Sequence, residues 1–569
     1  MLKKSRFWII ALVLVGFLTL SYSFVDNYFE VTKNLDIFST LYRELNIYYV
    51  DETKPGELMK KAIDEMLESL DPYTNYIPES EIEDYRYMTT GQYGGIGALI
   101  RQHGDHVLIS EPYEGFPAQK ADLRAGDVIL EINGMAAKGK RTDEVSKMLK
   151  GTPNTPVKLL IEREGEKKPI EKSIMREEIK IKNVAYSGMI NSNIGVIKLT
   201  GFTENAANEV KQALLDLKKN PDFKYLILDL RGNPGGLLNE AVNIVNIFVD
   251  KGREIVSTKG KIKDWDKVHK AMNDPVDTHT PMAVLINRGS ASASEIVSGS
   301  LQDLDRAVII GQRSFGKGLV QQTRPLSYNA QLKVTVAKYY IPSGRCIQAL
   351  DYSHKNEDGS VEKVPDSLIT AFKTIKNGRI VYDGAGIAPD IALEQEHYAN
   401  ISASLIAKSY VFDYATKYRL NHSSIPAPAE FTLSDSEYQE FMDFIKDKEY
   451  DYTTKSEKLL NDLKKSAEDE KKFDGAKAEY EALSAKLKHN KTDDLMKYKP
   501  EISSLIEEEI ACRYKFQRGR FESSVRTDRD LKEAITILNN QPRYDSILTT
   551  VTKATHPFHA DKFKEKGHQ

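Results

Sequence analysis

The sequence predicts a multidomain α/β protein. Its expected parts are an N-terminal membrane anchor, a helical region, a small mostly-β insert, an α/β core and an α-helical C-terminal extension. Three observations predict this order: an apolar stretch near the amino terminus, a glycine-rich tract of short β-type runs after about residue 85, and a later alternation of apolar strands with helical patterns. With 569 residues and 40% hydrophobic side chains, the chain can form several hydrophobic cores.

The first 25 residues are expected to be a membrane anchor or a signal segment. Lys3, Lys4 and Arg6 precede an uncharged stretch from Phe7 to Val25. Its 19 residues, at about 1.5 Å each, would span roughly 28 Å, close to the thickness of a bilayer core. An uncleaved anchor is favoured because Ser21-Tyr22-Ser23 matches a cleavage site poorly. The flanking charges then place the rest of the chain outside the cytoplasm, in the periplasm if this is a bacterial envelope protein.

Residues 26–84 are predicted to be helical. Apolar side chains recur at helical spacing from Leu58 to Leu70, and Asp71-Pro72 ends the pattern because a residue before proline disfavours a helix. The apolar face of this helix would pack on neighbouring elements or contact a second copy of the chain. The sequence leaves both interpretations open, so a homo-oligomer is possible.

Residues 85–172 are predicted to form the mostly-β insert. The run Gly94-Gly95-Ile96-Gly97 precedes a β-type segment, and the run from Pro117 to Ile129 is followed by Ile132-Asn133-Gly134. Glycines alone would indicate only a tight turn. Together the two segments resemble a PDZ domain. In that family a glycine-rich loop binds the terminal carboxylate of a peptide, which adds as a strand to the sheet edge, so Gly94, Gly95, Ile96 and Gly97 are the expected carboxylate loop.

Residues 173–397 are predicted to form the α/β core, because strand and helix patterns alternate there. The expected strands are Ile194 to Leu199, Tyr225 to Leu230, Ala283 to Ile286 and Ala307 to Ile310, and the expected helices are Asn205 to Leu217, Leu237 to Phe248 and Ser294 to Leu301. Beyond this core, residues 398–569 are rich in charged side chains and have the spacing of helices. These helices would pack on the core, or they would serve oligomerisation or substrate admission.

Composition excludes several classes of function. Lysine plus arginine (80) nearly balance aspartate plus glutamate (83), so no basic field indicates a nucleic-acid partner. Two cysteines are too few for a thiolate metal site, and the 11 histidines show no zinc-ligand spacing. We therefore expect no metal and no cofactor.

Three segments of the core have glycines, serines or a lysine at positions that packing alone does not explain. The turn Asp229 to Gly236 would expose backbone N–H groups where a helix begins, as an oxyanion site does. It is equally compatible with a nucleotide-type loop or a bare connection, although it lacks the lysine and Ser/Thr of a phosphate-binding P-loop. The corner Asn287 to Ile296 could present a serine nucleophile, although serine also caps helices. In Ser314 to Gln321, a partly buried lysine could have a lowered pKa and act as a base, or it could be solvated.

Taken together, the three segments resemble the C-terminal processing peptidases, also called tail-specific proteases, over residues 35 to 395. The resemblance implies that Ser292, the first serine of a Ser-Ala-Ser-Glu run, is the nucleophile and that Lys317, 25 positions later, is the base. It also implies that Gln321 orients the amine. The oxyanion donors would be the N–H of Ala293 and that of a glycine in the first turn, with Gly235 preferred to Gly232.

Two other catalytic pairings are compatible with the sequence. Ser314 and Lys317 form an S-x-x-K pair, but their flanking glycines disfavour the helix that this pair needs. A Ser-His-Asp triad could instead recruit His279 and Asp229.

The expected function is a serine endopeptidase that recognises free, apolar C-terminal tails of envelope proteins through the PDZ domain. Cleavage would follow a Ser/Lys acyl-enzyme mechanism. The alternatives are a non-catalytic PDZ scaffold that only binds tails, and an acyl hydrolase acting on small esters or cell-wall peptides.

Overall fold

The computed structural model describes residues 28–550, apart from 357–359, 451 and 488–490. The chain separates after Tyr76 into two compact units, which are described one at a time.

The first unit is helical. Residues 28–48 form helix α1, and α2 (Pro55–Glu68) begins with proline at a first-turn position, where its missing N–H costs nothing. The helix predicted from Leu58 is therefore confirmed within one turn. After it the chain turns at Asp71, whose carboxylate accepts the N–H groups of Tyr73 and Thr74. A contact between copies of the chain through this region stays a prediction.

The localisation prediction needs correction. Among the described residues, no helix is both long and apolar enough to cross a bilayer. The stretch from Phe7 to Val25, which carried the prediction of an anchor, lies outside those residues. On this finding the prediction of inner-membrane anchoring with the remainder in the periplasm is wrong.

The second unit begins with a small β domain. Strand β1 (Asn75–Ile77) precedes it, followed by a 3-10 turn at Glu79–Glu81 and helix α3 (Ile82–Thr90). Its elements are β2 (Gln92–Gly95), β3 (Ala98–His103), β4 (His106–Pro112), α4 (Pro117–Lys120), β5 (Val128–Ile132), β6 (Met135–Ala136), α5 (Thr142–Leu149), β7 (Pro156–Glu162), β8 (Ile170–Met175) and β9 (Glu177–Lys180). The sheet runs in the order β3-β4-β5-β7-β8, and β2 pairs with β9. Strand β3, directly after the glycine run, therefore lies at a sheet edge.

The α/β core follows, and its main sheet has the order β10-β11-β12-β15-β16-β23. Its elements are β10 (Val184–Met189), β11 (Ile194–Leu199), α6 (Ala206–Lys218), β12 (Tyr225–Asp229), α7 (Leu238–Phe248), β15 (Met282–Ile286), α8 (Ala293–Asp303), β16 (Val308–Gly311) and β23 (Ile391–Ala392). From β11 to β23 the strands are parallel. The predicted alternation of strands and helices is confirmed, with bounds shifted by two residues at most.

A second, antiparallel sheet supports the main one. It contains β13 (Glu254–Gly260), β14 (Lys267–Lys270), β17 (Leu319–Pro325) and β18 (Gln331–Tyr340), with a 3-10 turn at Lys263–Trp265. Two small hairpins, β19 (Leu350–Lys355) with β20 (Val361–Lys363) and β21 (Ala371–Lys373) with β22 (Ile380–Tyr382), complete the core, with a 3-10 turn at Asp366–Leu368 between them.

The C-terminal extension is helical, as predicted. Its helices are α9 (Asn400–Ala407), α10 (Tyr410–Asn421), α11 (Asp435–Ile445), α12 (Lys455–Asp469), α13 (Phe473–Leu487), α14 (Lys491–Lys497), α15 (Lys499–Ser524), α16 (Arg529–Leu538) and α17 (Gln541–Thr549). Helix α15 is kinked, because Lys515 and Phe516 have non-helical backbone angles.

The two faces of the main sheet are covered by different parts of the chain. One face buries alternate strand residues such as Leu228 and Val284 against α6, α7 and α8. The other buries Ile227 and Leu285 against Leu531, Ala534 and Ile537 of α16. The C-terminal extension therefore supplies the second helical layer of the core.

Candidate active site

Two turns meet at one edge of the main sheet. The first leaves the carboxyl end of β12, and the second leaves the carboxyl end of β15. Since β12 and β15 are adjacent and parallel, both turns emerge on the same side, where ligands bind in open α/β sheets. A third segment, between β16 and β17, contains Lys317.

Ser292 lies at the corner between β15 and α8, and its backbone is strained. Its φ is +55° and its ψ is −112°, a region that residues other than glycine rarely adopt. The carbonyl of Ser292 accepts a hydrogen bond from the Tyr339 hydroxyl at 3.2 Å. Strain of this kind persists only where the surroundings over-determine it, and it is typical of a serine held clear of a strand-to-helix turn.

Glu295 joins the serine corner to the lysine segment. Its carboxylate is fully buried and accepts four hydrogen bonds: from the N–H groups of Ser292 (2.8 Å), Gly316 (2.7 Å) and Lys317 (2.9 Å) and from the Ser314 hydroxyl (2.5 Å). Burial raises the pKa of Glu295 to about 7, against the opposing effect of these hydrogen bonds. Sequence reasoning gave this residue no role. The signal was present, because Ser292-x-x-Glu295 has the spacing of a helix capping box.

The glycines around Lys317 have a steric role. A Cβ on Gly316 would lie 2.4 Å from the Cβ of Ala349, and one on Gly318 would lie 2.8 Å from the Gln348 nitrogen. Only glycine fits at such distances. The two glycines therefore allow the segment to pack closely against Ala349 and Gln348 while its N–H groups bond to Glu295. Lys317 itself is half-buried.

Gln321 lies on β17, four residues after the lysine. Its side-chain amide donates to the Thr335 hydroxyl at 3.1 Å. The role of Gln321 in orienting the Lys317 amine stays a prediction.

The turn after β12 packs directly on the serine corner. Gly235 has a φ of +98°, and a Cβ there would lie 2.6 Å from the Ala291 carbonyl oxygen and 2.9 Å from the Cβ of Ser292. By contrast, no atom of the described residues lies within 4 Å of the corresponding position on Gly232. The structure thus brings Gly235, and not Gly232, to the serine.

The two N–H groups expected to bind an oxyanion differ in the hydrogen bonds that they already make. Ala293 is the first residue of α8, so its N–H has no carbonyl partner within the helix. The N–H of Gly235 donates to the Asn233 side-chain oxygen at 2.9 Å. The N–H of the next residue, Gly236, has no acceptor within the described ranges.

One cavity of about 530 Å³ connects these groups. Its lining includes five of the predicted site residues: Gly235, Ser292, Ala293, Lys317 and Gln321. Part of α3, including Tyr85, Tyr87 and Met88, also lines it. No motif in the sequence of α3 indicates that this helix belongs to the site.

The predicted carboxylate loop lies in the β domain and does not line this cavity. Gly94 and Gly95 pair with Glu178 and Glu177 in the β2–β9 ladder. The carbonyls of Ile96 and Gly97 accept the N–H groups of Ala118 and Tyr113, respectively. The loop is therefore fixed in place immediately before the edge strand β3.

The geometry disfavours both rival pairings. Ser314 is buried, its hydroxyl donates to Glu295, and the segment that links it to Lys317 is not helical. His279 precedes β15 whereas Ser292 follows it, so a five-residue strand, about 16 Å long, lies between them. Asp229 pairs with Arg231 and Lys198, not with a histidine.

Three segments of the chain match known families. Residues 193–353 match "Peptidase family S41", residues 108–163 match "PDZ domain", and residues 401–538 match "Probable PDZ-protease, C-terminal helical domain".

Curated relatives point the same way. A Carboxy-terminal-processing protease of Bartonella bacilliformis is 38% identical over 356 residues, which cover 62% of this chain and 81% of that protein. A Probable CtpA-like serine protease of Staphylococcus aureus is 38% identical over 317 residues, covering 55% of this chain and 62% of the relative.

Two solved structures are also similar. The photosystem II D1 C-terminal processing protease is 28% identical with a TM-score of 0.33, covering 62% of this chain and 86% of that one. The PDZ domain of a carboxy-terminal protease from Vibrio cholerae, solved with a peptide, is 31% identical with a TM-score of 0.15, covering 16% and 99%. The 38% identity over most of the Bartonella protein shows the family: the chain belongs to the carboxy-terminal-processing serine proteases of peptidase family S41 and has a PDZ domain.

Proposed function

We propose that Ser292 is the nucleophile and Lys317 the general base of this protease. The observation that carries the proposal is the Glu295 carboxylate, which holds the backbone of Ser292 and that of Lys317 to the same buried group while both residues line one cavity. A serine hydroxyl is a weak nucleophile until a neighbouring base accepts its proton.

In the proposed reaction, the neutral Lys317 amine takes the proton of Ser292 as the oxygen bonds to the substrate carbonyl carbon. Collapse of the tetrahedral adduct breaks the C–N bond, and Lys317 returns the proton to the leaving amine. Water then hydrolyses the acyl-enzyme by the same route. Gln321 orients the amine, and the N–H groups of Ala293 and Gly235 stabilise the oxyanion.

Gly235 must change its hydrogen bonding to act in this way. Its N–H has to be shared between Asn233 and the oxyanion, or released by Asn233 when substrate binds. Gly236 is the second candidate, since its N–H has no acceptor among the described residues.

We further propose that the substrate is a protein with a free, apolar carboxyl tail. The tail would pair with the exposed edge of β3 while N–H groups of the loop Gly94 to Gly97 hold its carboxylate. Residues 85–172 form the tail-binding domain in this proposal, 173–397 the protease core and 398–569 the helical extension.

The catalytic assignment is tested by Ser292→Ala and Lys317→Ala on an unfolded substrate with an apolar tail. Both variants should lose cleavage by more than about a thousandfold, since neither step of the acyl transfer can then proceed normally. Ser298→Ala is a matched control, because its hydroxyl only donates back to the Ser294 carbonyl in the same helix. Activity near the wild-type level in either dyad variant contradicts the assignment.

Tail recognition is tested by comparing substrates with free and amidated carboxyl ends. Amidation removes the charge that the loop would bind, so cleavage should slow through a higher KM. Equal rates on both substrates would favour the alternative of an acyl hydrolase that does not recognise tails.

A further inference from the structure

The turn that contains Gly235 begins with an arginine whose side chain is fully engaged. The Arg231 guanidinium, 15% exposed, donates five hydrogen bonds to three carboxylates. Two go to Asp229, from Nε at 3.0 Å and from Nη2 at 2.8 Å. Asp229 is completely buried and also accepts Lys198 Nζ at 3.1 Å.

The other three hydrogen bonds cross to the C-terminal extension. Nη1 and Nη2 of Arg231 donate to Asp528 at 2.9 and 2.7 Å, and Nη1 also donates to Asp530 at 3.1 Å. Both aspartates are about 15% exposed. They are separated from Arg231 by almost 300 residues of sequence, so this contact has no local origin.

The two aspartates are held in place independently of Arg231. Asp528 is the N-cap of α16, where its carboxylate accepts the Leu531 N–H at 3.0 Å. Asp530 lies in the first turn of the same helix. Because Leu531, Ala534 and Ile537 of α16 are buried on the main sheet, the start of this helix is a fixed point relative to the core.

The turn transmits the position of Arg231 to the serine corner. Its next residue, Gly232, donates to the Asn287 side chain at 2.8 Å. The Asn233 carbonyl accepts the Ala291 N–H at 3.1 Å and the Ser294 hydroxyl at 2.9 Å. Two residues further on, Gly235 is in contact with Ser292.

From this chain of contacts we infer that Asp528 and Asp530 are positioning residues for the oxyanion-binding turn, acting through Arg231. The C-terminal extension thereby completes the active site. The inference rests on the proposed function, because it assumes that this turn stabilises the oxyanion on the carbonyl attacked by Ser292.

A guanidinium held only by Asp229 retains donors that would seek water, which allows the side chain and the start of the turn to shift. Two further carboxylates fix its plane from the opposite side. A displacement of about 1 Å at an oxyanion donor is enough to lower turnover by up to about a hundredfold.

The test is the variant Asp528→Ser with Asp530→Asn in the full chain. Serine retains an N-cap oxygen, so α16 keeps its start while the bonds to Arg231 are lost or weakened. We expect kcat to fall about tenfold or more, with KM within about twofold of wild type, since substrate binding elsewhere is untouched. Glu533→Gln is the matched control, because Glu533 lies on α16 but pairs with Arg543 at 2.7 Å, away from the turn.

A second readout separates positioning from general stability. Affinity for a peptide aldehyde, whose hemiacetal adduct with the serine bears an oxyanion, should fall in parallel with kcat, while affinity for the product peptide should not change. In addition, Arg231→Gln alone should lower kcat as much as the combination of all three substitutions, because the residues act as one unit. If the double aspartate variant does not fold, Asp530→Asn alone provides the same comparison.

The outcomes distinguish this inference from the proposed function. Wild-type kcat and aldehyde affinity in the aspartate variants, or losses that add to that of Arg231→Gln, overturn the inference while leaving the dyad intact. Retained activity in Ser292→Ala overturns the proposed function itself.

Discussion

Two buried carboxylates organise the site, and they are stabilised in opposite ways. Glu295 has four neutral donors around it and no cation bonded to it in the hydrogen bonds described above, whereas Asp229 lies between the cations Arg231 and Lys198. Burial acts to raise the pKa of both carboxyl groups. At Glu295 this effect prevails, whereas at Asp229 the two positive charges outweigh it and hold the pKa well below its usual range. The serine corner therefore contains a carboxyl group whose pKa lies near neutrality, whereas the carboxylate of the neighbouring turn is ionised well into acid.

Among the substitutions that test this difference between the two carboxylates, the largest effect should come from replacing Glu295 by its amide. Glu295→Gln places an NH₂ donor among groups that are themselves donors, so the backbones of Ser292 and Lys317 are no longer held together. We expect kcat to fall by about a hundredfold or more. Asp229→Asn should cost less, about tenfold, because Arg231 keeps Asp528 and Asp530. Steady-state kinetics on a tailed substrate measure both, and the reverse order of effects would contradict the account.

A second pair of substitutions tests the contact between the turn and the serine. Gly235→Ala should lower kcat by about tenfold to a hundredfold, because its Cβ would collide with the Ala291 carbonyl and push the turn away. Gly232→Ala is the control: its φ of +71° costs about 1 kcal/mol of stability, but its Cβ meets nothing. Thermal unfolding and kinetics should therefore separate the two glycines. Similar kcat values in both variants would show that the close approach of Gly235 does not matter.

The pH dependence of stability should differ between the two carboxylates. Because the folded-state pKa of Glu295 is about 7, above its usual value of 4.5, the folded chain keeps a proton that the unfolded chain loses. The contribution of this proton to the free energy of unfolding, up to about 3 kcal/mol, is fully present below about pH 4.5 and is lost as the pH rises through about 7. The free energy of unfolding of wild type minus that of Glu295→Gln should fall over this range.

Asp229 supplies the contrast for that experiment. Its folded-state pKa is lowered, so its contribution is present above the unfolded value and is lost only in acid. Between pH 5 and pH 8, wild type minus Asp229→Asn should stay constant. Urea unfolding at four pH values measures both differences, and a flat profile for Glu295→Gln would contradict the protonation argument.

The smallest effect concerns the contact between the PDZ domain and the C-terminal extension. Phe412 of α10 lies under two guanidinium groups, with Arg101 of β3 at 3.7 Å and Arg513 of α15 at 4.2 Å from its ring centroid. Phe412→Leu retains the apolar volume and loses the cation–π attraction, which is worth about 0.5–2 kcal/mol per pair. KM for a tailed substrate should rise a few-fold with kcat unchanged, because β3 is the proposed tail-binding edge. An unchanged KM would separate this contact from tail binding.

The sequence predicted the elements of the core well because they follow from local patterns. The strand Ile194–Leu199 was predicted at its observed bounds, and α8 begins one residue from its predicted start. Apolar runs and glycine-rich turns determine such elements through interactions within a few residues. The same local information indicated the serine corner and the lysine segment, and the family spacing then selected Ser292 and Lys317 within them.

What the sequence did not predict depends on distant partners. Nothing in the α16 sequence shows that Asp528 meets Arg231, since charged residues at a helix start are usually solvated. The sequence did contain a signal for the second helical layer on the main sheet, and the prediction did not use it. Strands such as Met282–Ile286 are continuously apolar, which indicates burial on both faces, and the preceding helices cover only one.

The most direct test of the central claim is to trap the acyl-enzyme. Wild-type protein is mixed with an activated ester of a tailed peptide, quenched in acid and digested, and the modified residue is found by mass spectrometry. If Ser292 is the nucleophile and Lys317 its base, an acyl group is expected on Ser292 in the wild type and none on that time scale in Lys317→Ala, with Ser298→Ala behaving as wild type. Acylation at another residue, or at an unchanged rate without Lys317, would contradict it.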